Sequence, residues 1–292
     1  MPELPEVETV RSQLAPLVEG CVIGQIEVLD PRWADRALAG AVRGLMVERL
    51  LRRGKYLIWQ LEREVHLLMH LRMTGTLLFD PVAAPAHTRV CIRLEDGRFG
   101  GAAVTHELLF VDPRRFGTGE LAIGGGALRE FLDARLGLEP FDAGWTDEHL
   151  FALTRSSGTA IKPFLLDQRR IAGIGNIYAD EALFRAGLHP LRIARNLSRA
   201  QTARLRRGVQ DVLRAGIDAR GAPIDDFRDL DDARGSFQDQ FLVHRREGMP
   251  CPVCATPVRK LVVGGRGTYV CERCQRRPRP RASRGGALRV SD

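Results

Sequence analysis

Apolar and polar positions change their rhythm along this chain, and the changes outline its parts. "PEVETVRSQLAPLV" predicts a helix over about residues 5–18: Pro5 suits a first helical position, and Glu6 and Glu8 fall in the first turn, where the helix dipole favours acids. Up to about residue 122 the text is strand-like. "VIGQIEVLD", "GLMVERLLRRGKYLIWQL", "VHLLMHLRMTGTLLF", "TRVCIRLEDG" and "HELLFVDPRRFGTGEL" are rich in Val, Ile, Leu and Phe, partly alternate, and are punctuated by Gly, Asp and Pro. Short strands in succession predict a β-sandwich. From about residue 126 the spacing turns helical. "ALREFLDARLG" and "TDEHLFALTRSS" read as helices, and "SRAQTARLRRGVQDVLRAGI" repeats Leu205, Val209, Val212, Leu213 and Ile217 behind an N-cap residue, Ser198. Residues 218–240 are acidic and aperiodic, hence a loop. The fold class expected is α+β: a sandwich domain over 1–122, a helical domain over 126–240, a cysteine module over 241–276 and a basic tail over 277–292.

Charge sharpens this division. The net charge is +8, but residues 1–150 hold 17 Lys+Arg against 22 Asp+Glu, and residues 151–292 hold 27 against 14. A basic C-terminal half on an acidic N-terminal half suits a polyanionic partner, although the Arg-rich tail supplies much of the excess. Only three of the 44 basic residues are lysine, namely Lys55, Lys162 and Lys260. An ammonium can shift its pKa for proton transfer where a guanidinium stays charged. There is no run of about 18 apolar residues and no basic-then-apolar leader, so the reading is a cytoplasmic protein with no membrane association.

The strongest local signal is "CPVCATPVRKLVVGGRGTYVCERC". Cys251 and Cys254, with Cys271 and Cys274, form two C-x2-C pairs at the spacing of a four-cysteine zinc ribbon; a redox pair would need only one. Four thiolates leave no position for water, so one structural Zn2+ is expected. Between the pairs, "VRKLVVGGRGTYV" reads as a hairpin with Arg266 near its turn. In "IAGIGNIYADEALF" glycines precede a helix start, which suits either an approaching anion or a tight turn. "RRGKYL" places Lys55 at a hairpin or strand start. Met73 in "HLRMTG" and Arg114 and Phe116 in "DPRRFG" lie on turns, where an apolar side chain beside arginines is either core or a wedge for a base stack.

Together these stretches resemble the formamidopyrimidine-DNA glycosylase family of base-excision repair enzymes. "PELPEVE", "RRGKYL", "HLRMTG", "DPRRFG", "IKPFLLDQ", "GIGNIYADEALF" and the four-cysteine unit occur in the family's order from residue 2 to about 275. The resemblance implies a helix–two-turn–helix element in the helical domain and a bifunctional glycosylase and abasic-site lyase acting on oxidised purines such as 8-oxoguanine and formamidopyrimidines. By that likeness Met1 is removed and Pro2 becomes a terminal secondary amine, whose pKa near ~8 leaves far more free base than a lysine at ~10.4. Pro2 then attacks C1′ of the damaged nucleotide and forms a Schiff base, Glu3 serves as general acid/base, and Lys55 and Arg266 assist β- and δ-elimination. Met73, Arg114 and Phe116 match the residues that fill the hole left by a flipped base, Arg114 facing the orphaned cytosine, and His87, Lys162 and Asn176 match phosphate contacts, together with backbone amides of the 173–176 turn and the zinc hairpin. The partner implied is double-stranded damaged DNA, bound by a monomer.

Departures from the family pattern are local. Arg72 stands where the family usually has glycine, and "GRFGGAAVTHELLFVDPRRFG" lengthens a hairpin. "RGAPIDDFRDLDDARGSF" lacks the usual paired threonines and Gly-Lys-Pro-Gly stretch of the lesion-contacting loop, and Ser157 stands where a basic residue is usual. These leave open a preference for oxidised pyrimidines or abasic sites. A protein that binds damaged DNA without catalysis is the reading from another class, and it would not require Pro2, Glu3 and Lys55.

Overall fold

A computed structural model describes residues 1–35, 37–97, 104–222 and 235–278. Helix α1 (Leu4–Val18) starts where proline and the acids predict, with the Glu3 N–H donating to Glu6 Oε2 at 2.8 Å. Then follow β1 (Val22–Val28), the short α2 (Ala37–Val42), β2 (Val47–Arg53), β3 (Tyr56–Leu61), β4 (Val65–His70), β5 (Thr76–Phe79), β6 (Thr88–Asp96), β7 (Val104–Val111) and β8 (Thr118–Ile123). They make two four-stranded antiparallel sheets, ordered β1-β6-β7-β5 and β2-β3-β4-β8. Val10, Trp59, Leu67 and Phe110 belong to the core they enclose. The β4–β5 and β7–β8 connections both cross from one sheet to the other, bringing the "RMTG" and "DPRRFG" turns into contact through the Thr74–Asp112 hydrogen bond. Between β2 and β3, Arg53 pairs with Tyr56, so Gly54 and Lys55 form a two-residue turn with Gly54 at φ +58°.

The helical part comprises α3 (Gly125–Asp133), α4 (Asp147–Arg155), α5 (Ile161–Leu166), α6 (Asn176–Arg185) and α7 (Arg199–Asp218). Ser198 caps α7 in a reciprocal box with Gln201. Leu205, Val209, Val212 and Leu213 are fully buried as their spacing predicts, and Ile217 packs at the margin of the same core. Leu4 lies in this second core while Val7, Val10 and Leu14 of the same helix lie in the sandwich core. Helix α1 therefore ties the two cores together, and its first residues sit at their junction. Strands β9 (Arg259–Val263) and β10 (Arg266–Val270) close a hairpin through Gly264 and Gly265, both at positive φ, as a two-residue primed turn needs. Most of the expected lesion loop, part of the lengthened hairpin and nearly all of the basic tail fall outside the described residues.

Candidate active site and DNA-facing edge

The chain's first residues are buried. Pro2 is enclosed and Glu3 is 2% exposed, at the start of α6. The Gly175 N–H donates to Glu3 Oε2 at 2.6 Å and the Ile177 N–H to Oε1 at 3.0 Å. The glycine turn before α6 does attract an anion, and that anion is the protein's own carboxylate. At least the Gly175 amide of that turn is therefore not available to a phosphate. Gly175 has to be glycine: a Cβ there would stand 2.2 Å from the Glu3 carboxyl carbon. Burial raises the Glu3 pKa, and the nearby Glu6 charge adds to this against the pull of Lys55 and the Ile177 N–H. The Lys55 amine, 4% exposed, is pushed down by burial and by Arg266, with Glu3 and Glu6 opposing. A carboxyl inclined to hold its proton and an amine inclined to lose one thus face each other.

Glu3 and Lys55 line a cavity of about 600 Å³, together with Met73, Asn176, His244 and Arg266. The zinc-module hairpin forms one wall. Its backbone is held at Gly267, whose carbonyl accepts from Asn176 Nδ2 at 3.0 Å and Lys162 Nζ at 2.9 Å. Lys162 requires a correction. Expected on a phosphate, its side chain is wholly buried, with Nζ 2.7 Å from Asp180 Oδ1 and 2.8 Å from Thr268 Oγ1. All three donor directions of the ammonium have protein partners. Ser157, in the place of a customary basic residue, is likewise buried and shares a hydrogen bond with the Thr159 hydroxyl.

His87, Arg114 and Phe116 do not line the cavity. Phe116 is 50% exposed, an aromatic ring held in solvent with the Arg114 guanidinium carbon 4.9 Å from its centroid. His87 is exposed at φ +72°. Arg72, beside Met73, also adopts a left-handed φ of +56°, the conformation that glycine takes without strain. It is tolerated here with its N–H donating to His70 Nδ1 at 3.0 Å.

The four module cysteines bring their sulfurs within 4.8 Å of one another, with Cys254–Cys271 at 3.4 Å and Cys251–Cys274 at 3.9 Å. A tetrahedral zinc with ~2.3 Å bonds requires sulfurs about 3.8 Å apart, so the donor set fits one Zn2+ in a closed, structural site. Gln275 braces it, accepting the Cys271 N–H and donating to the Leu188 carbonyl.

Several supporting residues gave no sign in the sequence of the partners they hold. Glu6 Oε1 accepts from the Tyr178 hydroxyl and from the Ala222 N–H, both at 2.8 Å, fixing the first residues of the lesion loop. Gln168 spans the glycine turn, accepting the Gly173 N–H and donating to the Ile174 carbonyl. His244 presents Nδ1 to Asp180 Oδ2 at 2.9 Å. Each joins segments far apart in the chain, which local spacing cannot reveal.

Comparison with known proteins gives the same arrangement. A model of the formamidopyrimidine-DNA glycosylase N-terminal domain matches residues 1–119, one of that glycosylase's H2TH domain residues 136–227, and one of a zinc finger found in FPG and IleRS residues 248–277. A Thermus thermophilus protein named formamidopyrimidine-DNA glycosylase is 44% identical over 279 residues, covering 94% of this chain and 98% of that protein. One from Roseiflexus is 41% identical over 283 residues, covering 94% and 100%. The crystal structure of MutM (Fpg) from Thermus thermophilus superimposes with a TM-score of 0.84 at 40% identity, over 94% of this chain and 98% of that one. A Lactococcus lactis Fpg in complex with abasic-site DNA gives 0.85 at 32%, over 94% and 100%.

Proposed function

The chain belongs to the formamidopyrimidine-DNA glycosylase family, and from that premise we propose that it excises oxidised purines from duplex DNA and cleaves the resulting abasic site, with Pro2 as nucleophile. The observation that carries this reading is the junction of α1 with α6, where the chain start, the carboxyl of Glu3 and the amine of Lys55 meet in one cavity with Arg266.

Loss of Met1 turns the Pro2 nitrogen from an amide into a secondary amine. Its lone pair attacks C1′, the C1′–N bond to the damaged base breaks, and the base leaves with the electron pair and takes up a proton, balancing the N–H proton that the Pro2 nitrogen then sheds. Glu3, its carboxyl pKa raised, delivers a proton to the sugar ring oxygen as the ring opens, leaving a C1′ iminium on Pro2. Lys55, depressed as an amine, assists removal of the C2′ proton that drives β-elimination of the 3′ phosphate. Arg266, on the first residue of β10, assists the second elimination at the 5′ side. Met73, Arg114 and Phe116 fill the space vacated by the base, while His87 and the hairpin meet the backbone. The zinc ion holds the module's fold and takes no part in bond making. The cavity is built within one chain, which supports action as a monomer on DNA.

Borohydride trapping on duplexes holding 8-oxoguanine opposite cytosine, thymine glycol or an abasic site tests this. A covalent adduct on 8-oxoguanine, lost on Pro2→Gly substitution or N-terminal extension, is expected. Trapping only on thymine glycol or the abasic site would overturn the substrate class. No trapping with DNA still bound would overturn the enzyme.

A further inference from the structure

One buried aspartate touches the three connections that carry Met73, His87, and Arg114 with Phe116. Asp112, at 1% exposure, begins the β7–β8 connection. Its Oδ1 accepts from the Thr74 hydroxyl and, at 3.2 Å, from the Arg114 N–H. Its Oδ2 accepts from the Phe116 N–H at 2.9 Å and the Gly117 N–H at 2.7 Å. Its own N–H donates to the His87 carbonyl at 3.0 Å, and its carbonyl accepts from Arg89 Nε at 2.9 Å. Three connections that are distant in sequence, carrying Met73–Thr74, His87 and Arg114–Phe116, therefore converge on one residue.

We propose that Asp112 is a positioning residue for base extrusion, locking Met73, His87, Arg114 and Phe116 into one rigid edge, with Thr74 as the bond that couples the two filling turns. The inference rests on the reading of Met73, Arg114 and Phe116 as void-filling residues. Phe116 and Arg114 project from the surface, so neighbouring side chains do not enclose them; their aim is set by the backbone beneath. That backbone is pinned by Asp112 from within, and Arg115 turns the opposite way to pair with Asp30 at 2.5 and 2.7 Å. The two turns also share a neighbour: a Cβ on Gly75 or on Gly117 would strike the Phe110 ring, at 2.7 and 2.4 Å, so both are packed against the same side chain. An edge held in its working shape before DNA arrives avoids the cost of ordering it while the base is being unstacked.

The consequence is selective. Expelling a stacked 8-oxoguanine needs the edge, whereas an abasic nucleotide has no base to unstack. Thr74→Val removes the coupling bond with little change of shape; Asp112→Asn places an amide against N–H donors. Single-turnover excision of 8-oxoguanine opposite cytosine is measured beside strand cleavage of the same duplex bearing an abasic site, with Arg114→Ala and Phe116→Ala in parallel and melting temperatures recorded for all. Thr74→Val is expected to slow excision about ten-fold, as loss of a bond to a charged group implies, while abasic cleavage changes less than about two-fold. Asp112→Asn is expected to exceed that, and if it does not fold, Thr74→Val decides alone. Equal slowing on both substrates, or no slowing by Thr74→Val, overturns the positioning role. If Arg114→Ala and Phe116→Ala also excise at the wild-type rate, it is the void-filling reading that has failed, and the inference falls with it.

Discussion

Glu3 and Gly175 lie 172 positions apart in the chain, yet the Gly175 N–H meets the Glu3 carboxylate at 2.6 Å. This contact makes the N-terminus and the start of α6 a single site. Gly175→Ala forces the carboxyl away, because the new methyl would overlap it. The substitution is expected to lower single-turnover excision by at least about 10²-fold, the range of a misplaced acid–base group, with DNA affinity little altered. Excision kinetics beside a binding titration check this; a variant with near wild-type excision would sink the role assigned to Glu3 placement.

Lys55 is positioned from the other side. Glu139, 5% exposed, takes Arg52 in a two-point grip at 2.7 and 3.0 Å and accepts the Gly54 N–H on the turn that carries Lys55. Glu139→Ala leaves the largely buried Arg52 with Glu8 as its remaining carboxylate partner. A loss of about 3 kcal/mol in urea denaturation is expected, near the lower end for breaking a buried pair. Strand cleavage should also slow more than base release, so that a borohydride-trappable intermediate accumulates. A destabilised variant with an unchanged ratio of base release to cleavage would show that Glu139 does not govern Lys55.

Regular spacing made the strands, α1, α7 and the zinc ligands legible, because each depends on neighbours a few residues away. Ser198 and Gln201 stand three apart, and the cysteines of each pair likewise. The short α2 and α5, at six residues each, are too brief for a period to register. Pro2 and Glu3 enter through the family resemblance and not through any local spacing. What the sequence hid was pairing at distance. Glu6 reads as a first-turn acid, and it is one, but it also holds Ala222, 216 positions away. Lys162 is placed on a phosphate by the resemblance, and nothing local announces Asp180 and Thr268.

That misreading of Lys162 is itself testable. A lysine on a phosphate releases counterions, and its loss flattens the salt dependence of DNA binding by about 0.9 in log–log slope. Lys162 is buried against Asp180, with burial pushing its pKa down and Asp180 opposing. Lys162→Met is therefore expected to leave the slope unchanged while costing about 3–5 kcal/mol of stability, since Asp180 loses its cation. Arg266→Ala, which removes an exposed charge, should flatten the slope without that loss. Binding titrations over a range of salt, with urea denaturation, separate the two; a flattened slope in Lys162→Met would restore the phosphate contact.

His70 gives the fold an acid-sensitive group close to Lys55. Its ring is 7% exposed, and its Nδ1 accepts the Arg72 N–H, which fixes the proton of the neutral ring on Nε2. Burial, then the positive charges of Arg72 and Lys55, push its pKa down to about 3. An unfolded histidine titrates near ~6.5. Between those values the unfolded chain takes up a proton that the folded chain refuses, so the contribution of His70 to stability falls as pH falls, by up to about 1.4 kcal/mol per pH unit. Glu3, whose pKa is raised, works in the opposite direction, so the wild-type profile alone mixes the two. The difference between wild type and His70→Gln isolates the histidine. Urea denaturation at intervals from pH 7 to pH 4 should show the variant gaining relative stability as acidity rises. A difference that stays flat over that range would mean that His70 accepts its proton in the folded protein.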